Sequence, residues 1–164
     1  MPARGLIGVR SRVLNATQGE ATMHHVFHGY GPFRGAIEER VAGVLISMAQ
    51  GQTTFYALDG LRDRGQFFVG EGIEVYEGMI IGEHCKDNDL VLNVSREKKA
   101  TKIRSSTTET FVKLPPPRAF NVEDGLEYVA DDEIVEVTAK SVRLRKQYLK
   151  ETDRKRSDRR RETV

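Results

Sequence analysis

The 164-residue chain contains no tryptophan, one cysteine and only five prolines, three of them consecutive. A lone thiol, Cys85, has no intrachain disulfide partner, so stability must come from a packed core and not from cross-links. Long apolar runs are also missing: the longest, Gly43-Val44-Leu45-Ile46-Ser47-Met48-Ala49, is far too short to cross a bilayer. No signal-peptide pattern precedes it, and the expectation is a cytoplasmic protein without membrane contact. The chain has neither a Gly-x-x-x-x-Gly-Lys-Ser/Thr phosphate loop nor a Gly-x-Gly-x-x-Gly turn opening a helix, which excludes nucleotide hydrolysis through those devices. No serine occupies a Gly-x-Ser-x-Gly elbow. His24, His25 and His28 are the nearest approach to a metal cluster. On a strand His24 and His28 would lie about 13 Å apart, with His25 on the opposite face, too far for one ion. No catalysis, no metal and no small-molecule substrate are therefore expected.

What is present is positive charge, unevenly spread. The insert Arg96-Glu97-Lys98-Lys99-Ala100-Thr101-Lys102-Ile103-Arg104 carries five basic side chains and one acid, a net +4. Residues 143–161 hold ten Lys or Arg against Glu151, Asp153 and Asp158, a net +7. Since the whole chain is +2, everything else carries −9. An acidic body with two basic appendages suits a protein that offers cations to a phosphate backbone, where counterion release makes affinity salt-dependent. The bland alternative is a solvated loop and tail.

Patterning between these appendages is mostly β. Residues 5–14 read as a short helix, and residues 20–30 as a strand ending at Gly29-Tyr30-Gly31-Pro32. Residues 44–48 and 53–57 read as a hairpin about Gln50-Gly51-Gln52, followed by a helical turn over 58–64 and a strand over 67–69. A second hairpin is expected from 79–83 and 90–94, and a strand over 109–114 after the insert. Pro115-Pro116-Pro117 is a stiff spacer without backbone donors. Asn121 reads as the N-cap of a helix whose Leu126, Val129 and Ala130 face the core. Strands over 134–138 and 141–145 follow. No apolar anchor appears between Leu149 and Val164, so residues 151–164 are expected as a basic disordered tail, or at most a solvated helix. The fold class expected is α+β and β-rich: a small antiparallel barrel-like domain with a few short helices. A helix-strand remnant of an α/β domain precedes it.

The segments Arg4-Gly5-Leu6-Ile7-Gly8, Leu61-Arg62-Asp63-Arg64-Gly65 and Val75-Tyr76-Glu77-Gly78-Met79-Ile80-Ile81-Gly82 are distinctive. So are Asn88-Asp89-Leu90, Asp131-Asp132-Glu133 and Ser141-Val142-Arg143-Leu144-Arg145-Lys146. Together, and in register, they resemble the C-terminal region of the TypA/BipA family of translational GTPases. The resemblance implies that residues 1–33 end a domain like domain V of elongation factor G, and that residues 34–150 form the family-specific domain. GTP and Mg2+ would bind a GTPase domain outside this chain, leaving no cofactor here. The implied partners are the ribosome's large-subunit rRNA and the acceptor end of A-site tRNA, reached by a loop that orders on binding. Links to ribosome assembly and stress responses come from the family alone. On this resemblance Lys98, Lys99, Lys102 and Arg104 are phosphate partners, with Ser105 and Ser106 as hydrogen-bond donors. Arg143, Arg145, Lys146, Arg154 and Lys155 are further RNA-contacting candidates in the C-terminal basic run. A different class remains open: a protein-interaction module using exposed strand edges.

Overall fold

The computed structural model describes residues 2–6, 8–33, 35, 40–97 and 114–161. Its centre is β1 (Val44–Ser47), four consecutive buried residues. A run of this kind forms where both faces of a strand are covered, so apolar residues need not alternate with polar ones. Leu45 points into a cluster with Leu58, Val75, Met79 and Ile81, while Val44 and Ile46 join Ile80, Tyr128 and Leu144 on the opposite face.

Around β1 the chain adds β2 (Gly51–Gln52), α2 (Phe55–Leu61), β3 (Gly65–Phe67), β4 (Glu74–Val75), β5 (Met79–His84) and β6 (Leu90–Leu92). The N-terminal helix α1 is Val9–Ala16, and the C-terminal part contributes α3 (Val122–Tyr128), β7 (Glu133–Val137), β8 (Val142–Lys146) and α4 (Glu151–Arg161). Six strands make one sheet in the order β6-β1-β5-β8-β7, with β3 also on β5. β5 is the long spine: Met79 and Ile80 pair with β8, whereas Gly82 to His84 pair with β3 along the same edge. β2 and β4 form a separate two-stranded ladder. The molecule is α+β and strand-rich as expected, but β6 and β7 end the sheet without pairing to each other, so the barrel is not closed among the described residues.

Several local expectations are corrected. Residues 55–57 begin α2 instead of a strand, because the Thr54 side chain accepts from the Ala57 N–H at 3.2 Å and caps the helix. The expected hairpin of β5 and β6 does not form; β1 lies between them, antiparallel to β5 and parallel to β6. Residues 20–30 run outside any ladder. Val26, Phe27 and Tyr30 stay 91%, 72% and 100% exposed, since a strand without a neighbour has no partner for its backbone or its apolar face. The Asn121 cap is confirmed, its side chain accepting from Asp124 N at 2.7 Å. Of the residues expected to face the core, Val129 packs on the cluster of Val44 and Ile46, whereas Leu126 is 51% exposed and the buried residues of α3 are Gly125 and Tyr128. A Cβ at Gly125 would meet Val135 at 3.3 Å, which is how closely α3 lies on the β7-β8 hairpin. The tail takes the helical of its two expected forms, as α4, and is not disordered over Glu151–Arg161. The strand expected over 109–114 lies almost wholly outside the described residues, which resume at Leu114.

Candidate nucleic-acid interface

The basic insert leaves and re-enters the body beside α2. At the outgoing stem the Thr54 N–H donates to Val94 O at 3.0 Å, and its hydroxyl donates to Arg96 O at 2.6 Å, so the residue that caps α2 also clamps the chain. Asn93 Oδ1 accepts from both Ser95 N and Ser95 Oγ, at 3.1 and 3.0 Å, turning the backbone outward. Ser95 presses against Gly51, where a Cβ would approach to 2.7 Å, so only glycine fits opposite this turn. At the returning stem Leu114 packs on the cluster of Leu58 and Val69. With Phe55, Arg62 and the three prolines it lines a cavity of about 350 Å³. Lys98, Lys99, Lys102, Arg104, Ser105 and Ser106 lie outside the described residues; what the structure defines is the rigid base from which they depart.

Candidates in the C-terminal run have diverging fates. Lys146 is a correction: it is 3% exposed, with Nζ 2.6 Å from Asp89, 2.7 Å from Asp132 and 2.9 Å from Glu133. Strand parity places it on the buried side with Leu144. Glu133, fully buried, also receives the Arg40 guanidinium (Nη1 to Oε2, 2.7 Å) and Ala130 N at 3.1 Å. Arg40 in turn donates to Tyr128 O at 2.8 Å and lies over the Tyr128 ring. Burial would by itself push the Glu133 pKa up, yet Arg40 and Lys146 outweigh it and hold the carboxyl below its ordinary range. Burial likewise works to lower the Lys146 pKa, and Asp132, Asp89 and Glu133 reverse that and raise it. This is a structural ion network with no free valence for phosphate.

Arg145 is also committed. Its Nε donates to Glu136 Oε1 at 2.7 Å and its Nη1 to Lys146 O at 3.1 Å, while the Tyr76 hydroxyl takes the other Glu136 oxygen. Burial, then that bond to Glu136, pushes the Tyr76 hydroxyl pKa well up. Arg143, directly opposite Glu136 in the ladder, has no ion pair among the described residues and remains available. Arg154 folds back on the carbonyls of Tyr148 and Leu149, which anchors the start of α4 and takes it off the list of free cations. Lys155 is 67% exposed and, among the described residues, pairs only with Glu151 along the helix at 2.6 Å, so it can exchange that partner for a phosphate. Glu151, Arg154, Lys155 and Asp158 line a cleft of about 230 Å³ with Ile46, Val91 and Tyr148, so α4 lies against the sheet at β1 and β6. The composition of the run showed its charge; it could not show that three of its members are already engaged within the fold.

Among the described residues no helix is long and apolar enough to cross a membrane, and no three His, Cys, Asp or Glu side chains are placed to hold a metal ion.

Residues 42–151 match the model of the TypA/BipA C-terminal domain. The chain is 47% identical over 160 residues to the large ribosomal subunit assembly factor BipA of Salmonella typhimurium, covering 97% of this chain and 26% of that protein. It is 43% identical to the protein of the same name from Bacillus subtilis, over 100% of this chain and 27% of the relative. For the Synechocystis protein the figures are 46%, 89% and 24%. The chain thus spans about a quarter of the length of these relatives. With two thirds of its residues inside the family model and this level of identity along nearly all of its length, the chain belongs to the TypA/BipA family and represents its C-terminal part.

Proposed function

We propose that this chain is the ribosome- and RNA-binding module of a larger translational GTPase. It contacts large-subunit rRNA and the acceptor end of A-site tRNA through its basic insert and carries out no catalysis of its own. The observation that carries the reading is the clamp at Thr54, Val94 and Arg96: a +4 segment springs from a fixed point on the body instead of trailing from a terminus. A pinned origin sets where on the body a docked phosphate surface would meet the insert. The relatives' names as large ribosomal subunit assembly factors support the choice of partner and a role in assembly. GTP and Mg2+ belong to residues outside this chain, which has no phosphate loop.

The test is binding to purified large ribosomal subunits across a salt series, beside a K98A/K99A/K102A variant. Affinity should fall steeply with salt, and the variant should bind more weakly with a log-log slope reduced by about two to three units. Equal affinity and slope in the variant would remove the insert from the interface. A second reading is favoured by the exposed Val26, Phe27, Tyr30 and Phe33 on a segment outside any ladder, which would suit strand addition by another polypeptide. Such pairing would be insensitive to salt.

A further inference from the structure

Among the cavities on the described surface, three differ in charge. The one at the insert's stem includes Glu71 and the one under α4 includes four carboxylates, but the third, about 430 Å³, is lined by Arg118, Lys140 and Arg143 with no acid. It lies where β5 changes neighbour. Because Met79 and Ile80 pair with β8 while Gly82 pairs with β3, the sheet edge is interrupted between Phe67 and Val142. The segment after the prolines bridges that gap, held by Arg118 N donating to Phe67 O at 3.0 Å. Phe68, Ile73, Met79 and Phe120 contribute apolar lining.

The cations on the rim are not equivalent. Arg118 is held over the Phe120 ring at 4.8 Å, with Glu83 3.7 Å away. Lys140 and Arg143 make no ion pair among the described residues, and the carboxylate opposite Arg143, Glu136, is already taken by Arg145 and Tyr76. Lys140 rides on a tight turn closed by Thr138 N to Ser141 O and Ser141 N to Thr138 Oγ1, both 3.0 Å. A rigid turn thus presents one free cation beside another at the mouth of an apolar slot.

We propose that this cleft takes an unpaired RNA nucleotide, its base against Ile73, Met79 and Phe120 and its phosphate at Lys140 and Arg143. The inference rests on the RNA-binding reading above and gives it a second, structurally defined contact. The volume falls within the range of about 300–1,000 Å³ typical of small-ligand clefts, enough for one base and its sugar. An apolar slot accepts any base face, whereas a duplex keeps its bases stacked and out of reach. The insert would then supply sequence-independent attraction and the cleft would distinguish unpaired from paired RNA.

Titrating the full chain with adenosine 5′-monophosphate, while following the methyl resonances of Met79 and Ile73, tests this directly. Selective shifts at both residues are expected, absent with inorganic phosphate. Ala119→Trp, at an exposed position lining the mouth, should weaken binding of a short unpaired oligonucleotide roughly tenfold and leave a duplex of the same length unaffected. Lys140→Ala with Arg143→Ala should lower the salt slope for that oligonucleotide by about one unit. Undisturbed methyl signals, shifts reproduced by phosphate alone, or unchanged oligonucleotide binding by the Trp variant would each overturn the assignment. Binding of large subunits without methyl shifts would defeat the cleft and spare the ribosome reading. Methyl shifts without subunit binding would do the reverse.

Discussion

Lys146 and Lys155 belong to the same basic C-terminal run, yet one is 3% exposed among three carboxylates and the other 67% exposed beside a single glutamate. The first holds β8 to the β6 and β7 ends of the sheet, and the second decorates a helix. The difference teaches that net charge locates a basic region but says nothing about which cations remain free. A charge is free for a partner only if the fold has not already surrounded it.

The sharpest way to break the comparison is to remove each lysine. Lys146→Ala leaves buried Glu133 short of a partner and should cost about 3–5 kcal/mol in denaturant unfolding. Lys155→Ala should cost less than about 1 kcal/mol and act instead on RNA affinity. A Lys146→Ala variant as stable as the parent would show that Arg40 alone suffices for Glu133.

The network also predicts a pH profile. Because the folded-state pKa of Glu133 is depressed, its contribution is present above the unfolded value near 4.5 and is lost as pH falls through the lowered value. The folded-state pKa of Lys146 is raised, so its contribution is present below the unfolded value of 10.5 and is lost as pH rises through the raised one. Urea midpoints should therefore be flat between about 4.5 and about 10.5 as far as these two groups decide. Glu133→Gln should flatten the acid limb while lowering the plateau. A smaller effect is expected of Thr54→Ala, about 1 kcal/mol for the lost α2 cap, with faster amide exchange at Ala57 and a loosened insert stem. Exchange at Ala57 unchanged from the parent would mean that the stem, not the cap, organises α2.

Much of this was legible locally. The two strands expected over 134–138 and 141–145 are β7 and β8, and the α3 start followed from Asn121, because both signals involve residues close together in the chain. The α2 start was misread since Thr53, Thr54 and Phe55 favour strands by propensity, and the capping role of Thr54 appears only when its hydroxyl meets Ala57 N. The pairing of β6 was misread for a different reason: proximity in sequence favours a hairpin with β5, but β1, formed far earlier in the chain, occupies that edge. Of the candidate site, Arg143 and Lys155 stayed available, while Arg145, Lys146 and Arg154 proved committed to Glu136, to the buried carboxylates and to backbone carbonyls.

By itself the sequence determined the α+β class, the segregation of charge into an insert and a C-terminal run, and the family. These depend on composition, period and motif, which are properties of neighbouring residues. Only the tertiary structure decided which cations face inward, that the insert is clamped beside α2, and that a carboxylate-free cleft opens where β3 and β8 share the edge of β5. Those depend on contacts between residues distant in the chain, whose free energies no local pattern contains.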